Sequence, residues 1–599
     1  MGAYAQQQKT EHIDEEASRQ FETELEACMV SSILKPERNR LKEFLREANI
    51  LHMDQMDYTI RCDYRRYLIY IKKIQNAERY LLAYDRIKQV QIQRQYPVKQ
   101  RWKLKKQIFY LPYHPDKKIA EQMMNLRSES ALVWDFSRPC SELLRKQIFA
   151  VLNEILKSGT KRGQIKDKLS GLQALYEYAA NERIKDLEEI DQQQTKEFFL
   201  QMDNLYSKQM AGKKKKILDY SLRTLFRLSE EIHWNANIWY IESLKLAEHR
   251  INPSASAVRI SFLEIADAEW RCLAKEYMKY QIGIGGCAVS TMKLKYTDIR
   301  NLLVWLGDEK IGLSECSKEV MHDYFRKQEK KKVAEKRYND IILAIHGFFM
   351  LLVVHGKLKR VPFEKDYYLK KEIKVHHDRS LTTEQYQNDI SLLPYMEETM
   401  RCMYLHFWCM GLRISEVCTL KGNAYYRKNG DTWIKLYQQK AKTYKRIPIP
   451  EALYKIMQVY KRRHQVGPDD YVFQSKDGGA YKAATCSRKL KEFFEEYLPE
   501  DSTYQFQSHA FRHTVATQYY DGGVSIQTLR EYLGHHYLEM TQQYIDYMPQ
   551  KIAQKNEEYF SKEGHSLAGC LRKEMSQDEV ILHRTVGGGG GSGRSERGR

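Results

Sequence analysis

Gln507-Ser-His-Ala-Phe-Arg-His-Thr-Val-Ala-Thr517, Leu529-Arg-Glu-Tyr-Leu-Gly-His-His536 and Thr541-Gln-Gln-Tyr-Ile-Asp-Tyr547 are the segments whose reading decides the fold. His509 and Arg512 are three apart, so on a helix they share one face and can reach one ligand together. Ser525 to Leu533 reads as the next helix, with Gly534 placed to end it in a left-handed cap. Tyr544 follows His535 by nine residues. On an unbroken helix that spacing is about 900°, so the two side chains would point opposite ways. They converge only if His535 lies in a loop and Tyr544 on a separate helix, and Gly534 permits the break.

Upstream, Met400 to Met410 reads as a buried helix ending at Gly411, and Gly411-Leu-Arg-Ile-Ser-Glu416 follows it. Asp431-Thr-Trp-Ile-Lys-Leu-Tyr-Gln-Gln-Lys440 and Lys445-Arg-Ile-Pro-Ile-Pro450 are strand-like, with Lys440 near the turn between them. Pro448 and Pro450 assign the second to a sheet edge.

The ordered set Gly-Leu-Arg-Ile-Ser-Glu, hairpin lysine, His-x-x-Arg, Leu-Gly-His and a tyrosine nine residues beyond resembles the tyrosine recombinase (phage integrase) family. Taken singly each element is bland, since the chain has 42 tyrosines and isolated His-x-x-Arg pairs are common. The resemblance places the family's catalytic set at Arg413, Lys440, His509, Arg512, His535 and Tyr544, with Glu416 in support. Lys442 and Lys445 compete for the lysine position. Lys440 is chosen because it precedes Pro448 by eight in the Arg-Ile-Pro hairpin, although Lys442 stands equally far before Pro450. Tyr547 ranks behind Tyr544 because it sits twelve after His535. His513 and His536 neighbour the chosen histidines but break the spacing.

The chemistry needs these residue types. Attack on a DNA phosphodiester builds charge on two non-bridging oxygens, and two guanidinium forks can hold it without a metal. The resemblance implies Tyr544 as nucleophile, a covalent 3′-phosphotyrosine intermediate and Lys440 as the acid that protonates the leaving 5′ oxygen. His509 would assist proton transfer and His535 would hydrogen-bond the phosphate. No cofactor and no metal is expected. Double-stranded DNA is the expected partner, with a homotetramer on two DNA sites and a second recombinase or accessory protein implied by the family. Two rival readings stand beside this one: a type IB topoisomerase, which uses a similar residue set, and a catalytically silent DNA-binding regulator on the same fold.

Before residue 430 helical periodicity dominates. Amphipathic helices are predicted over 37–49, 57–68 and 77–90, then 165–180, 191–202 and 214–232, then 292–306, 317–328 and 334–354. In each round a polar residue precedes an aromatic by seven: Asp57 and Tyr64, Asp191 and Phe198, Ser317 and Tyr324. Each pair follows a helix carrying Phe44, Tyr176 or Trp305. The pattern reads as three weakly similar helical units. Between the first two, Tyr96 to Lys106, running on through Pro112 and Pro115, reads as a linker or DNA-facing loop. The expected fold is mainly α with a small β-hairpin or sheet in a catalytic domain, preceded by helical core-binding-like (SAM-like) domains. Expected boundaries are 1–130, 131–255, 256–375 for the core-binding domain with its linker, 376–565 for the catalytic domain and 566–599 for a low-complexity basic tail. The extended N-terminal half resembles the larger transposases of Tn554-like elements.

Composition agrees with a polyanionic partner: 98 Lys and Arg oppose 78 Asp and Glu, a formal charge of +20 over 599 residues. Lys213–Lys216, Lys327–Arg337 and Lys357–Arg360 are candidate phosphate contacts. Eleven scattered cysteines without a Cys-x-x-Cys pair argue against a zinc site or disulfide frame. No charge-free run of about 18 apolar residues and no apolar leader appear, so a cytoplasmic protein without a membrane span is expected.

Overall fold

The computed structural model describes residues 18–95, 102–105, 107–126, 129–159, 161–255, 259–372, 380–382, 385, 389–498, 506–535 and 537–542. These divide into two compact units, one drawn from Met1–Leu246 and Ala257–Lys370, the other from Ala247–Ser256 and Lys371–Arg599. The three helical segments read from the sequence all fall in the first unit.

After a helical stretch at 18–28, that unit holds α1 (Lys35–Glu47), α2 (Tyr58–Arg66) and α3 (Ala77–Gln95). Strands β1 (Ile108–Tyr110) and β2 (Val133–Asp135) pair antiparallel, with Phe109 opposite Trp134. Helices α4 (Glu142–Lys157), α5 (Arg162–Asn181), α6 (Gln192–Leu205) and α7 (Lys208–Leu228) follow. A second short antiparallel pair, β3 (Ile238–Tyr240) and β4 (Arg259–Ser261), precedes α8 (Ala268–Gly283), α9 (Val289–Asp308), α10 (Lys318–Glu329) and α11 (Glu335–Val354). Helix α11 is long and apolar enough to cross a membrane by composition. Ile342, Ile345, Phe348 and Leu352 on it are fully buried, which makes it the core helix of its round.

The three rounds repeat one turn. Helices α1, α5 and α9 each end at a left-handed residue, Asn49 (φ 52), Arg183 (φ 53) and Lys310 (φ 57). An isoleucine follows each time, Ile50, Ile184 or Ile311, its N–H donating to the fifth carbonyl back at 2.9–3.0 Å. A one-turn 3₁₀ segment comes next, at Met53–Gln55, Leu187–Glu189 and Leu313–Glu315. Asp57, Asp191 and Ser317 then cap the following helix, accepting from Ile60 N at 3.0 Å, Gln194 N at 2.8 Å and Val320 N at 3.4 Å. Seven residues on, Tyr64, Phe198 and Tyr324 are buried. Their ring partners are Phe44 at 4.8 Å, Tyr178 at 5.3 Å and Trp305 at 5.2 Å. Tyr176, two residues before Tyr178 on the same helix, packs its ring on Phe136.

The structure adds detail at two other stretches. In the described part of the 96–115 stretch, residues 102–105 and 107–115, Trp102 lies edge-on to Phe109 at 5.1 Å and His114 at 4.6 Å, and Ile108–Tyr110 is strand β1. Phe109, Tyr110 and Leu111 are buried there. The Lys213–Lys216 cluster is also largely engaged within the fold. Lys213 pairs with Asp167 at 2.9 Å, Lys215 with Asp203 at 2.5 Å, and buried Lys214 donates to Ser170 at 2.7 Å.

The second unit holds α12 (Glu398–Met410), α13 (Ile414–Cys418), β5 (Tyr425–Lys428), β6 (Asp431–Gln438), β7 (Thr443–Pro448), α14 (Glu451–Arg463), α15 (Ala483–Tyr497), α16 (Ser508–Asp521), α17 (Ile526–Leu533) and α18 (Leu538–Gln542). The strands form an antiparallel sheet in the order β5-β6-β7, which leaves the proline-bearing strand on an edge. Tyr404, Phe407, Phe494, Phe506 and Phe511 fill the core between α12, α15 and α16. Although remote in sequence, Ser254 O accepts from Ala483 N at 2.9 Å and Pro253 O from Lys482 Nζ at 3.0 Å, so the 247–256 segment closes the start of α15.

Candidate active site

Each piece of the Gly-Leu-Arg-Ile-Ser-Glu run has a job in the backbone. Gly411 ends α12 in the left-handed region (φ +57), and a Cβ there would sit 3.0 Å from Arg512 Cα. The glycine therefore lets α12 meet α16 closely enough for Arg512 Nη1 to donate to Gly411 O at 3.1 Å. Leu412 is fully buried and anchors the turn. Arg413 is the N-cap of α13, and Glu416 at the third position accepts from Arg413 N and Arg413 Nη1, both at 2.9 Å.

Glu416 is 2% exposed and is the hub. Gln438 Nε2, from the end of β6, donates to it at 3.2 Å, and Lys445 Nζ on β7 lies 3.9 Å away. Burial alone would raise this carboxyl, but Lys445, Arg512 and Arg413 hold it down at about 2. Burial also pushes Lys445 down to about 8, with Arg512 and Arg413 adding repulsion and Glu416 opposing them.

Gly534 ends α17 with φ +68, as the sequence requires, and His535 N donates back to Arg530 O at 3.0 Å. A Cβ on Gly534 would meet the Gln438 carboxamide, which would have to move aside. The cap turns His535 inward. Arg512 Nη2 donates to Leu533 O and lies 3.2 Å from His535 Nε2. Arginine can only donate, so Nε2 is the acceptor and the Nδ1 proton goes to Thr541 Oγ1 at 3.0 Å. Burial, then Arg512, Arg413 and Lys445, push the imidazole down to about 3, which keeps it neutral at physiological pH.

Arg413, Glu416, Arg512 and His535 therefore meet, from three separate pieces of chain. His509 lies exposed in the first turn of α16, three residues before Arg512. Lys440 is exposed in the β6–β7 turn, and the hairpin lysine inside the cluster is Lys445. Its register explains this: Lys445 is paired with Leu436 and shares the buried strand face with Ile447 and Ile449. Tyr544, Tyr547 and His536 lie outside the described residues, as does the 566–599 tail. Sequence reasoning also missed β5, although Asn429-Gly430 between Lys428 and Asp431 is a strong two-residue hairpin signal, both residues adopting positive φ.

The result is two guanidiniums and a lysine around a single buried carboxylate beside a neutral imidazole. That leaves an excess of positive charge, which an arriving dianionic or monoanionic oxygen cluster would balance.

Residues 379–551 match the model of the phage integrase family. Transposase B from transposon Tn554 of Staphylococcus aureus strain Mu50 is 26% identical over 337 residues, which is 54% of this chain and 52% of the relative. Tyrosine recombinase XerA of Pyrococcus furiosus is 25% identical over 236 residues, 39% of this chain and 77% of the relative. The chain spans about half the length of the Tn554 relative. Among solved structures, a XerA recombinase is 18% identical, covering 49% of this chain and 99% of that one at a TM-score of 0.28. A lambda integrase dimer bound to a COC′ core site is 16% identical, covering 46% and 76% at a TM-score of 0.36.

Proposed function

We propose, from the premise that residues 379–551 are a tyrosine recombinase domain of the phage integrase family, that the protein is a site-specific DNA recombinase, an integrase or transposase of a mobile element acting in the cytoplasm on double-stranded DNA. The observation that carries this is the cationic excess around Glu416: Arg413 pairs with it at 2.9 Å and Lys445 lies 3.9 Å away, with Arg512 and His535 alongside. A phosphodiester fits that demand, because its two non-bridging oxygens match the two guanidinium forks.

In this reading the Tyr544 hydroxyl oxygen attacks phosphorus, and the bond from phosphorus to the 5′ oxygen breaks. The DNA 3′ phosphate becomes ester-linked to tyrosine and a 5′ hydroxyl leaves. The phenolic proton passes to a nearby base, for which His509 is the candidate, and the leaving oxygen takes a proton from a hairpin lysine. Attack by a 5′ hydroxyl from another strand reverses each step and restores the phosphodiester. Glu416 holds Arg413 and Lys445 in place, and His535 supports Arg512 until the phosphate arrives. A tetramer on two DNA sites would supply the exchanging strand.

A nicked suicide substrate tests the reading. The wild-type protein should form a covalent DNA adduct and Tyr544→Phe should not, with DNA binding within about twofold because one hydroxyl is removed. Covalent adduct in Tyr544→Phe, with loss only in Tyr547→Phe, would move the nucleophile. Adduct formation should also persist in excess EDTA, since the arginines supply the charge that a metal would otherwise supply. Supercoil relaxation without a cognate site would instead favour topoisomerase chemistry.

A further inference from the structure

In the middle round of the first unit, Asp186 caps the 3₁₀ turn after α5 and Glu188 lies within it, and His233 lies in the α7–β3 loop facing them. One ligand atom from each of the three lies within 4.8 Å of the others. His233 Nδ1 is 3.3 Å from Glu188 Oε2, while its Nε2 is 3.7 Å from Asp186 Oδ2 and 3.7 Å from Glu189 Oε1. Three carboxylates thus surround one imidazole. The Glu188 side chain is only 10% exposed, and its second oxygen, Oε1, is buried without a hydrogen-bond partner among the described residues. Leaving a carboxylate oxygen buried and unpaired is costly, so such a group calls for a ligand.

The fold does not require these acids. In the first round the same turn carries His52, Asp54 and Gln55, and Gln55 folds back to accept from His52 N at 3.0 Å. In the third it carries Gly312, Ser314 and Glu315, and Glu315 accepts from Gly312 N at 2.9 Å. Both close the turn with their third residue. In the middle round Asp186 takes over the local role, accepting from Glu188 N at 2.9 Å, and the third residue, Glu189, faces His233 instead. The ligand loops are also fixed beforehand. Asn237 N donates to Glu188 O at 2.8 Å, and Asn237 Nδ2 to Glu189 O at 2.7 Å and Ile190 O at 2.9 Å.

We propose that Asp186, Glu188 and His233 form a structural site for a divalent first-row transition cation, of which Zn²⁺ is the type. One imidazole nitrogen and two carboxylate oxygens suit that class, and water or Glu189 completes the shell. The ion takes the place of a proton on His233 and balances the surplus of acids. It clips the α7–β3 loop to the turn between α5 and α6 and takes no part in DNA chemistry.

The test uses full-length protein without a histidine tag, stripped with EDTA, desalted and titrated with ZnCl₂ by calorimetry and elemental analysis. Wild type should retain one equivalent more than His233→Ala and than the isosteric Glu188→Gln, or bind it at least about tenfold more tightly, as loss of one zinc ligand implies. Zn²⁺ should raise the thermal midpoint of wild type and not of the variants. Equal uptake by wild type and both variants would overturn the site. Should the variants fail to fold, X-ray absorption of the zinc-loaded wild type decides: one imidazole among oxygens supports the site, and sulfur in the shell assigns the ion to cysteine and overturns it.

Discussion

At the residue scale the open choice is between Lys440 and Lys445 as the acid for the leaving oxygen. Spacing to a proline cannot separate lysines on one hairpin, because counting along a strand says nothing of which face a side chain takes. Alternation does say so: Lys445, Ile447 and Ile449 fall on one face, and the two isoleucines are buried. A substrate with sulfur in place of the 5′ bridging oxygen needs no proton on its leaving group. If Lys445 is the acid, Lys445→Ala should lose at least about a hundredfold in cleavage of the oxygen substrate, the usual scale of general-acid catalysis, and recover on the sulfur substrate. Rescue of Lys440→Ala alone would assign the role to the turn lysine, moving in when DNA binds. The same lysine sets a pH limb. Its folded value near 8, against an ordinary 10.5, means cleavage of the oxygen substrate should fall as pH rises through about 8. Between those two values the unfolded chain binds the extra proton, so fold stability from this group rises with pH over that window, opposite in sign to activity. Single-turnover rates and urea unfolding at pH 7 and 9.5 would separate the two effects.

At the scale of the element, glycines and caps were legible and short strands were not. Gly411 and Gly534 each follow an apolar helix run and each adopts positive φ, because a helix must end abruptly for Arg413 and His535 to turn inward. The helices of the three rounds were readable from periodicity to within a few residues. The largest boundary miss was at the start of α7, which begins at Lys208 rather than Lys214, and no range was read for α4 or α8. Strands of three residues such as β1 and β3 carry too little alternation to announce themselves. Gly534→Ala is the sharpest probe of how elements build the site. It adds left-handed strain of about 1 kcal/mol and pushes Gln438 off Glu416, so both the thermal midpoint and cleavage should drop. Adding Gln438→Ala should relieve the collision and recover part of the stability but little activity, since Glu416 then lacks one donor. A Gly534→Ala protein with unchanged melting and cleavage would show that the α17 cap does not position His535.

For the whole molecule, net charge points to a polyanionic partner but not to where it would be met. The formal +20 is spread over many lysines, and the structure distinguishes those already paired from those that are not. Lys213 and Lys215 belong to the first group, tied to Asp167 and Asp203. The α10–α11 turn belongs to the second: Lys330, Lys332 and Lys336 are exposed, and Lys332 holds φ 50 at the tip. This difference was invisible in the sequence, where both runs look alike, because ion pairing depends on acids supplied by other helices. If the turn lies on the DNA backbone, replacing Lys330, Lys332 and Lys336 with Gln should lower the slope of log affinity against log salt by about 0.9 for each phosphate released, weakening all sequences alike. Lys213→Gln with Lys215→Gln should leave that slope unchanged and cost no more than about 1 kcal/mol of stability, as surface ion pairs do. Binding measured between 50 and 200 mM salt on cognate and random duplexes would read both variants together. An altered slope in the Lys213/Lys215 protein, with none in the triple variant, would put the middle round rather than the α10–α11 turn on the DNA. The middle round would then be a DNA-contacting module whose ion pairs open on binding.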